Sequence, residues 1–578
     1  MILQSLKGYY DRKAADPDAG IAPPGFEWKE IPFVIVLDGE GNLVQIEDTR
    51  TGEAKKKRAK SFLIPQGEKR TSGVNAYRLW DNAEYIFGLE SGKEKQKAFI
   101  AKLDEYLVLQ DDGLNAMKLF LTNRPAEQAN SKAEWKDIVE TKPWLAFRMM
   151  GENELICQHP KVIGALKAEA AQIGNRKPMV CLVTGNLAPT TRLQPPIKGV
   201  RDANTTGADI VSFNLRAFES YGKEERQGEN APISEASSFA YTTALNHLLR
   251  KDSTQKIQVG DASTVFWADA PDELETGFLD LFGEPRKDDP DCNVKAVESL
   301  YRSVETGGFV TDSDKNRFFV LGLAPNAARI SVRFWQTGTV AEFAGRIRQH
   351  FDDLKIDRAS YEPPYLPLFR LLVNVAKLDE SKNIPPNLSG DTIRAILSGT
   401  PYPATLLQAA IRQIRAEQAK KNDKTGKPLP NVTYARAALI KACLNRAARF
   451  KNQQEDITVS LDTTNSNPAY RLGRLFAVLE KIQEDAAKPA KLNSTIRDRF
   501  YGAASSSPVT VFPTLLKLKN HHLAKLSAGQ KVHYEKLIGE IVWELGPVVA
   551  FPAQLPLPEQ GRFAIGYYHQ QRDLYTKK

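Results

Sequence analysis

The sequence predicts an α+β chain. A mixed α/β region with β-hairpins and a sheet fills residues 1–340, and an all-α helical bundle closes the C-terminal end. Two patterns carry this. Runs of β-branched and aromatic residues punctuated by glycine recur before position 340, as in IPFVIVLDGEGNLVQIEDTR (31–50). After about Glu342 a 3.6-residue apolar period takes over, as in NPAYRLGRLFAVLEKIQEDA (467–486). Composition agrees: 578 residues, 42% hydrophobic and 26% charged, is ordinary globular material, and such a length holds about three domains.

In chain order, Ile2, Leu3, Leu6, Tyr9 and Tyr10 share one face of a first helix. That segment lacks the long apolar core of a signal peptide. Residues 31–50 predict a hairpin, because the glycines of DGEGN permit the positive φ of a tight turn. The basic run 55–70 follows at once and is expected to hang from the hairpin's end, pinned at its centre by Phe62, Leu63 and Ile64. Tyr77, Trp80, Tyr85 and Phe87 are aromatic anchors; helix is expected over 94–121 and 132–138. KPMVCLVTG (177–185) has a buried-strand pattern. The Pro-, Gly- and Asn-rich segment 186–214 is irregular until a short closing strand. Ser234 caps a helix over 234–250. TVFWADA (264–270), RFFVLGLAP (317–325) and RISVRFWQTG (329–338) predict strands of one sheet. Helices follow over 404–418, 433–450, 467–486 and 532–545, with Leu472, Leu475, Phe476, Leu479 and Ile482 on one face of the third. The polar DTTNSNPAY (462–470) places a boundary near 456. The expected organisation is therefore 1–340, a connecting helical region 341–455, and a bundle 456–578.

Nothing in this sequence carries a recognised catalytic motif. Cys157, Cys181, Cys292 and Cys443 are far apart, with no CxxC, which excludes a zinc ribbon or disulfide framework and fits a reducing cytoplasm. None of the seven histidines lies in HExxH. GLESGKE (88–94) has three residues between its glycines and Glu94 after its lysine, where a phosphate loop needs four and Ser or Thr. The expectation is a protein that is not an enzyme and holds no cofactor or metal. The alternative is a nucleic-acid-processing nuclease of unrecognised type.

Charge gives the positive signal. The formal excess is +9, and KKKRAKSFLIPQGEKR (55–70) alone contributes about six of it. Lys55, Lys56, Lys57, Arg58, Lys60, Lys69 and Arg70 are candidates to neutralise phosphates, and Gln66, Ser72 and Asn75 to reach base edges. A second candidate is IKGVRDANTTGADIVSFN (197–214), where Lys198, Arg201, Asn204 and Thr205 accompany two glycines; Lys223 and Arg226 follow. In the helical region Arg471, Arg474, Lys481, Lys491, Arg497 and Arg499 are candidates for a single-strand path. Trp267 and Trp335 are assigned to core.

Several long stretches resemble the large subunit of the type I-C CRISPR surveillance complex, Cascade, of the Csd1 type. They are GIAPPGFEWKEIPFVIVLDGEGNLVQIEDTR, NAYRLWDNAEYIFGL, the segment from PIKGVRDANTTGAD to TTALNHLL, VGDASTVFWAD, RISVRFWQTG and LPEQGRFAIGYYHQ, in order over essentially the whole chain. The resemblance implies a non-catalytic cytoplasmic subunit that sits at the guide's 5′ end. It implies reading of a short protospacer-adjacent motif in double-stranded DNA, help in opening an R-loop, support of the displaced strand, and recruitment of a separate helicase–nuclease. Its implied partners are CRISPR RNA, target DNA, the guide-end-capping and repeated backbone subunits, and a small subunit made from an internal start in the same gene. The only methionines here are Met1, Met117, Met149, Met150 and Met179, so a start near 456 would use another codon, with Val459 or Leu461 as candidates.

Overall fold

The computed structural model describes residues 1–578 except 53–56, 68–72, 90–91, 172–177, 214, 224–226, 260, 283–314, 423–424, 456, 490–491, 493, 544–550 and 577–578. The chain forms two compact units. One comprises Met1–Gly199, Ala203–Arg250 and Ala327–Arg329; the other comprises Val200–Asp202, Lys251–Asn326 and Ile330–Lys578.

The first unit begins with helix Ile2–Ala14, whose Leu6, Tyr9 and Tyr10 are buried. It packs on helix Glu235–Leu249, where Tyr9 meets His247 Nδ1 at 3.0 Å and Ser234 caps the first turn. A two-stranded ribbon pairs β1 (Phe26–Glu30) with a later strand of the basic run. The predicted hairpin forms as β2 (Phe33–Leu37) and β3 (Leu43–Asp48). All five residues of β2 are buried, and a parallel partner, β6 (Trp144–Met149), pairs with its other edge. The ribbon's second strand is β4 (Ser61–Pro65), with Phe62 and Ile64 buried as the pinned centre of the run. Short β5 (Asp81–Asn82) completes the sheet order β3-β2-β6-β5.

Three expectations fail here. The helix over 94–121 is interrupted between Lys93–Asp104 and Asp112–Thr122, since Gln110 turns to positive φ and the Asp111 carboxylate accepts from the Gly113 and Leu114 N–H groups. The buried strand over 177–185 reduces to β7 (Pro178–Val180) paired with β8 (Leu187–Pro189), leaving Val180 and Leu182 exposed, each 57%. Among the described residues the strand at the end of 186–214 is likewise absent, and Asp209 forms an isolated bridge with Arg329.

The second unit holds the predicted sheet, in order β12-β11-β10-β9: β9 (Lys256–Val259), β10 (Ala262–Ala268), β11 (Arg317–Asn326) and β12 (Arg329–Thr339). Gly322 is required in β11, because a Cβ there would lie 2.4 Å from the Phe334 ring. Sheet passes directly to helix at Thr339, which accepts from the Glu342 N–H while Glu342 accepts from that of Thr339, both at 3.1 Å. One apolar core runs from Ile257 to Tyr568 and is continuous across positions 340 and 456. At its centre helix Pro468–Ala487 crosses Leu557–Tyr575 with backbones in contact. Trp267 is fully buried and lies tilted against Phe319 and Trp335, which stack on each other at 8°. No helix among the described residues is long and apolar enough to cross a membrane.

Candidate nucleic-acid interface

The basic run is held on both sides. Thr51 and Arg58 exchange backbone hydrogen bonds of 2.8 and 2.9 Å, closing a short loop beyond β3, and the Ile31 N–H donates to the Lys60 carbonyl at 3.0 Å. Lys57, Arg58 and Lys60 are therefore presented, exposed, from a fixed base. Lys55, Lys56, Lys69, Arg70 and Ser72 lie outside the described residues. Among the described residues the acid beside Lys57 is Asp48, at 3.9 Å. Asp48 is already engaged by Arg50 at 2.8 Å, and Arg50 also binds Asp137 at 2.6 Å. The Arg50 hydrogen bond holds the Asp48 carboxyl below its usual pKa. Among the described residues neither Arg58 nor Lys60 has an acidic partner. The Arg58 charge is left to solvent, and the exposed Lys60 ammonium stands 5.2 Å from the Phe62 ring centre.

The second predicted stretch meets the end of this ribbon. Lys198 Nζ binds Glu27 of β1 at 2.9 Å, and the other Glu27 oxygen accepts from the Gly67 N–H, just after β4, at 3.0 Å. Gln66 is half-buried, and its N–H donates to the Gly25 carbonyl at 2.8 Å. Gly67 sits close against Tyr77 and Trp80, so a Cβ there would lie 3.2 Å from the Tyr77 ring. Asn75 is exposed two residues before that ring. Glu27 thus ties together two segments 131 residues apart (67 and 198).

Sequence reasoning missed the residues of β1 itself. Trp28 is 49% exposed, and Lys29 lays its ammonium 4.6 Å from the Trp144 ring centre and 5.7 Å from that of Trp80. Burial, with Lys198 adding to it, pushes the Lys29 pKa down against the pull of Glu27 and Glu30. The alternation in FEWKE was the available signal, but it gives no hint of Trp144.

Other predicted residues play local roles. Asn204 and Thr205 are exposed, with the Asn204 carbonyl accepting from the Gly207 N–H at 2.9 Å in a turn. Lys223 Nζ is tied back to the Glu229 carbonyl at 2.9 Å, and Arg226 lies outside the described residues. In the second unit Arg201 is exposed beside Asp202, at 3.6 Å.

The predicted single-strand path is corrected. Arg471, Arg474 and Arg497 are buried and line no surface. Arg474 donates to Gln570 at 3.0 Å and to the Thr463 carbonyl at 3.3 Å; Arg471 reaches the Thr464 carbonyl; Arg497 lies beside Asp498 and Glu480. Their long stems pack in the bundle while the guanidinium groups meet carbonyls and acids. Lys481 is bound to Asp485 at 3.0 Å, Arg499 is exposed, and Lys491 lies outside the described residues. Further exposed cations of this region lie on helices Pro508–Leu523 and Ala528–Trp543 and the turn between them: Lys517, Lys525, Lys531 and Lys536. None of these four has an acidic partner among the described residues.

Among the described residues no group of three or more His, Cys, Asp or Glu is placed to hold a metal ion. The arrangement is thus a cationic ribbon with an aromatic base, suited to gripping an anionic polymer.

A family model described as CRISPR-associated protein (Cas_Csd1) matches residues 6–575. A search of curated proteins returns no match.

Proposed function

Because the chain belongs to the CRISPR-associated Csd1 family and is a component of Cascade, we propose that it is the non-catalytic large subunit of a type I-C RNA-guided surveillance complex. In this reading it works in the cytoplasm with CRISPR RNA and the other subunits. It recognises a protospacer-adjacent motif in duplex DNA, helps open the strands and form the R-loop, and supports recruitment of a helicase–nuclease. Protein contacts to backbone and to a few base pairs initiate opening, and guide pairing reads the remaining sequence. The observation that carries the reading is the ribbon tip, where Lys57, Arg58 and Lys60 stand exposed on a base fixed by hydrogen bonds. The displaced strand is assigned to the exposed lysines of 508–543 in place of the buried arginines.

The test is binding of the assembled complex to labelled duplexes with and without a permitted motif, in Mg²⁺, across a salt series. The reading expects motif-dependent, salt-sensitive binding and intact DNA in the absence of the helicase–nuclease. Cleavage by the complex alone would establish the nuclease alternative; motif-independent binding would leave only a scaffold.

A further inference from the structure

Lys29 is the most unusual cation of the first unit. Its stem is packed and its ammonium rests on the Trp144 and Trp80 faces, yet it makes no hydrogen bond among the described residues. The box beneath it is rigid. Tyr77 stacks on Trp144 at 5.7 Å and 25°, Trp80 lies 4.7 Å from Tyr77, and the Trp80 indole N–H donates to the Pro65 carbonyl at 2.8 Å. The ammonium therefore holds one position with its N–H donors unused.

Glu27 and Lys29 are two apart on β1, so both side chains leave the same face of the strand, and Glu27 holds Lys198 Nζ at that face at 2.9 Å. Of the carboxylates acting on Lys29, Glu27 is hydrogen-bonded to Lys198 and Gly67, and Glu30 is exposed at the end of β1. Two ammonium groups thus share a carboxylate that hydrogen-bonds only one of them. A tetrahedral anion with several acceptor oxygens can bridge both.

We propose that Lys29 and Lys198 form a seat for one phosphodiester of bound nucleic acid, with Glu27 holding Lys198 in place until the phosphate arrives. The seat rests on the nucleic-acid reading above. The aromatic faces fix Lys29 without neutralising it, so little side-chain freedom is lost on binding. An arriving anion also offsets the burial that disfavours the ammonium charge. The phosphodiester could belong to target duplex or to guide RNA, and the two are separable.

The test uses the full chain in the complex. Salt dependence is measured for target duplex binding the assembled complex, and separately for guide RNA during assembly. Lys29→Gln with Lys198→Gln should lower the slope of log K against log salt by about 0.9 in the duplex arm, or about 0.7 in the RNA arm, as one phosphate predicts. Lys29→Arg should keep it. A loss near twice that value means two separate phosphates and overturns the shared seat. Unchanged slopes in both arms, while Lys57→Gln with Arg58→Gln still lowers the duplex slope, overturn the seat and leave the wider reading standing. If the wild-type complex binds neither polymer, the wider reading itself falls. Lys198→Gln alone, at a half-exposed side chain, carries the test should Lys29→Gln unfold the unit.

Discussion

Replacing Gly473 by alanine should loosen the bundle out of proportion to one methyl group. A Cβ at 473 would lie 2.0 Å from the Phe563 carbonyl oxygen and 2.8 Å from the Tyr567 nitrogen. Both obstacles are backbone, so neither can rotate away. Restoring ordinary contact near 3.4 Å requires the two helices to separate by about 1.4 Å. That separation would pull Phe476 from Phe563 and Tyr567, now 6.0 and 5.9 Å away between ring centres. It would also stretch the 3.0 Å Arg474–Gln570 bond and the buried Tyr567–Glu480 bond. Overpacking costs about 1–3 kcal/mol where side chains absorb it, and a backbone collision belongs at or above the top of that range. The assay is urea unfolding of the full chain, with hydrogen exchange over 468–487 to localise the loss. Gly345→Ala is the control: it lies in helix Val340–Leu354 with nothing within 4 Å of its Cβ position. That change should stabilise by about 0.5–1 kcal/mol through helix propensity. Equal effects from the two substitutions would refute the reasoning, since the backbone collision exists at 473 and not at 345.

Three further outcomes are expected. Changing Lys57, Arg58 and Lys60 together to glutamine should lower the duplex-binding salt slope by up to about 2.7, worth about 40-fold between 50 and 200 mM salt, and an unchanged slope would remove the ribbon from the interface. Arg474→Met should lower the unfolding midpoint of the second unit while leaving the salt slope intact; the reverse pattern would return this residue to a binding surface. At His159, burial opposes the charge, but Asp111 and Glu152, each 2.9 Å from a ring nitrogen, outweigh it and raise the pKa. A raised folded-state pKa gives stability that is complete below the ordinary value of about 6.5 and lost as pH rises through the folded value. First-unit stability should therefore fall over that window in wild type but not in His159→Asn, and parallel pH curves would exclude the histidine as the cause.

What the sequence discloses depends on how far away the deciding partner lies. The hairpin of β2 and β3, the Ser234 cap and the buried face of helix 468–487 are written within a few residues of themselves. The parallel pairing of Phe33 with Leu145 is not, because more than a hundred residues intervene. Val180 and Leu182 misled for a related reason: a β-rich run is ambiguous until something covers it, and here a single short partner strand pairs with it. Arg471 and Arg474 sit three apart on a helix and look like a solvated edge. Only Thr463, Thr464 and Gln570, supplied by other segments, show that edge to be interior.

The same logic separates cations that brace the fold from cations left to bind. Arg436 is matched by Glu417 at 2.6 Å and Asp379 at 3.2 Å, and Arg449 is matched by Asp353 at 2.5 Å. Neighbourhood in sequence does not decide which fate a basic residue meets. Arg50 lies just outside the basic run, yet it is consumed by Asp48 and Asp137. In taking Asp48 it draws off the carboxylate that, among the described residues, lies beside Lys57. A buried or half-buried pair of short, bidentate bonds outcompetes a 3.9 Å contact at the surface, so the acid goes to Arg50 and the positive potential stays at the ribbon tip. The structural pair therefore leaves the binding charge free, and Asp137→Asn should test this: an Arg50 freed from Asp137 keeps Asp48 as its acid among the described residues, so the salt slope of duplex binding should stay undiminished, and a lowered slope would refute it.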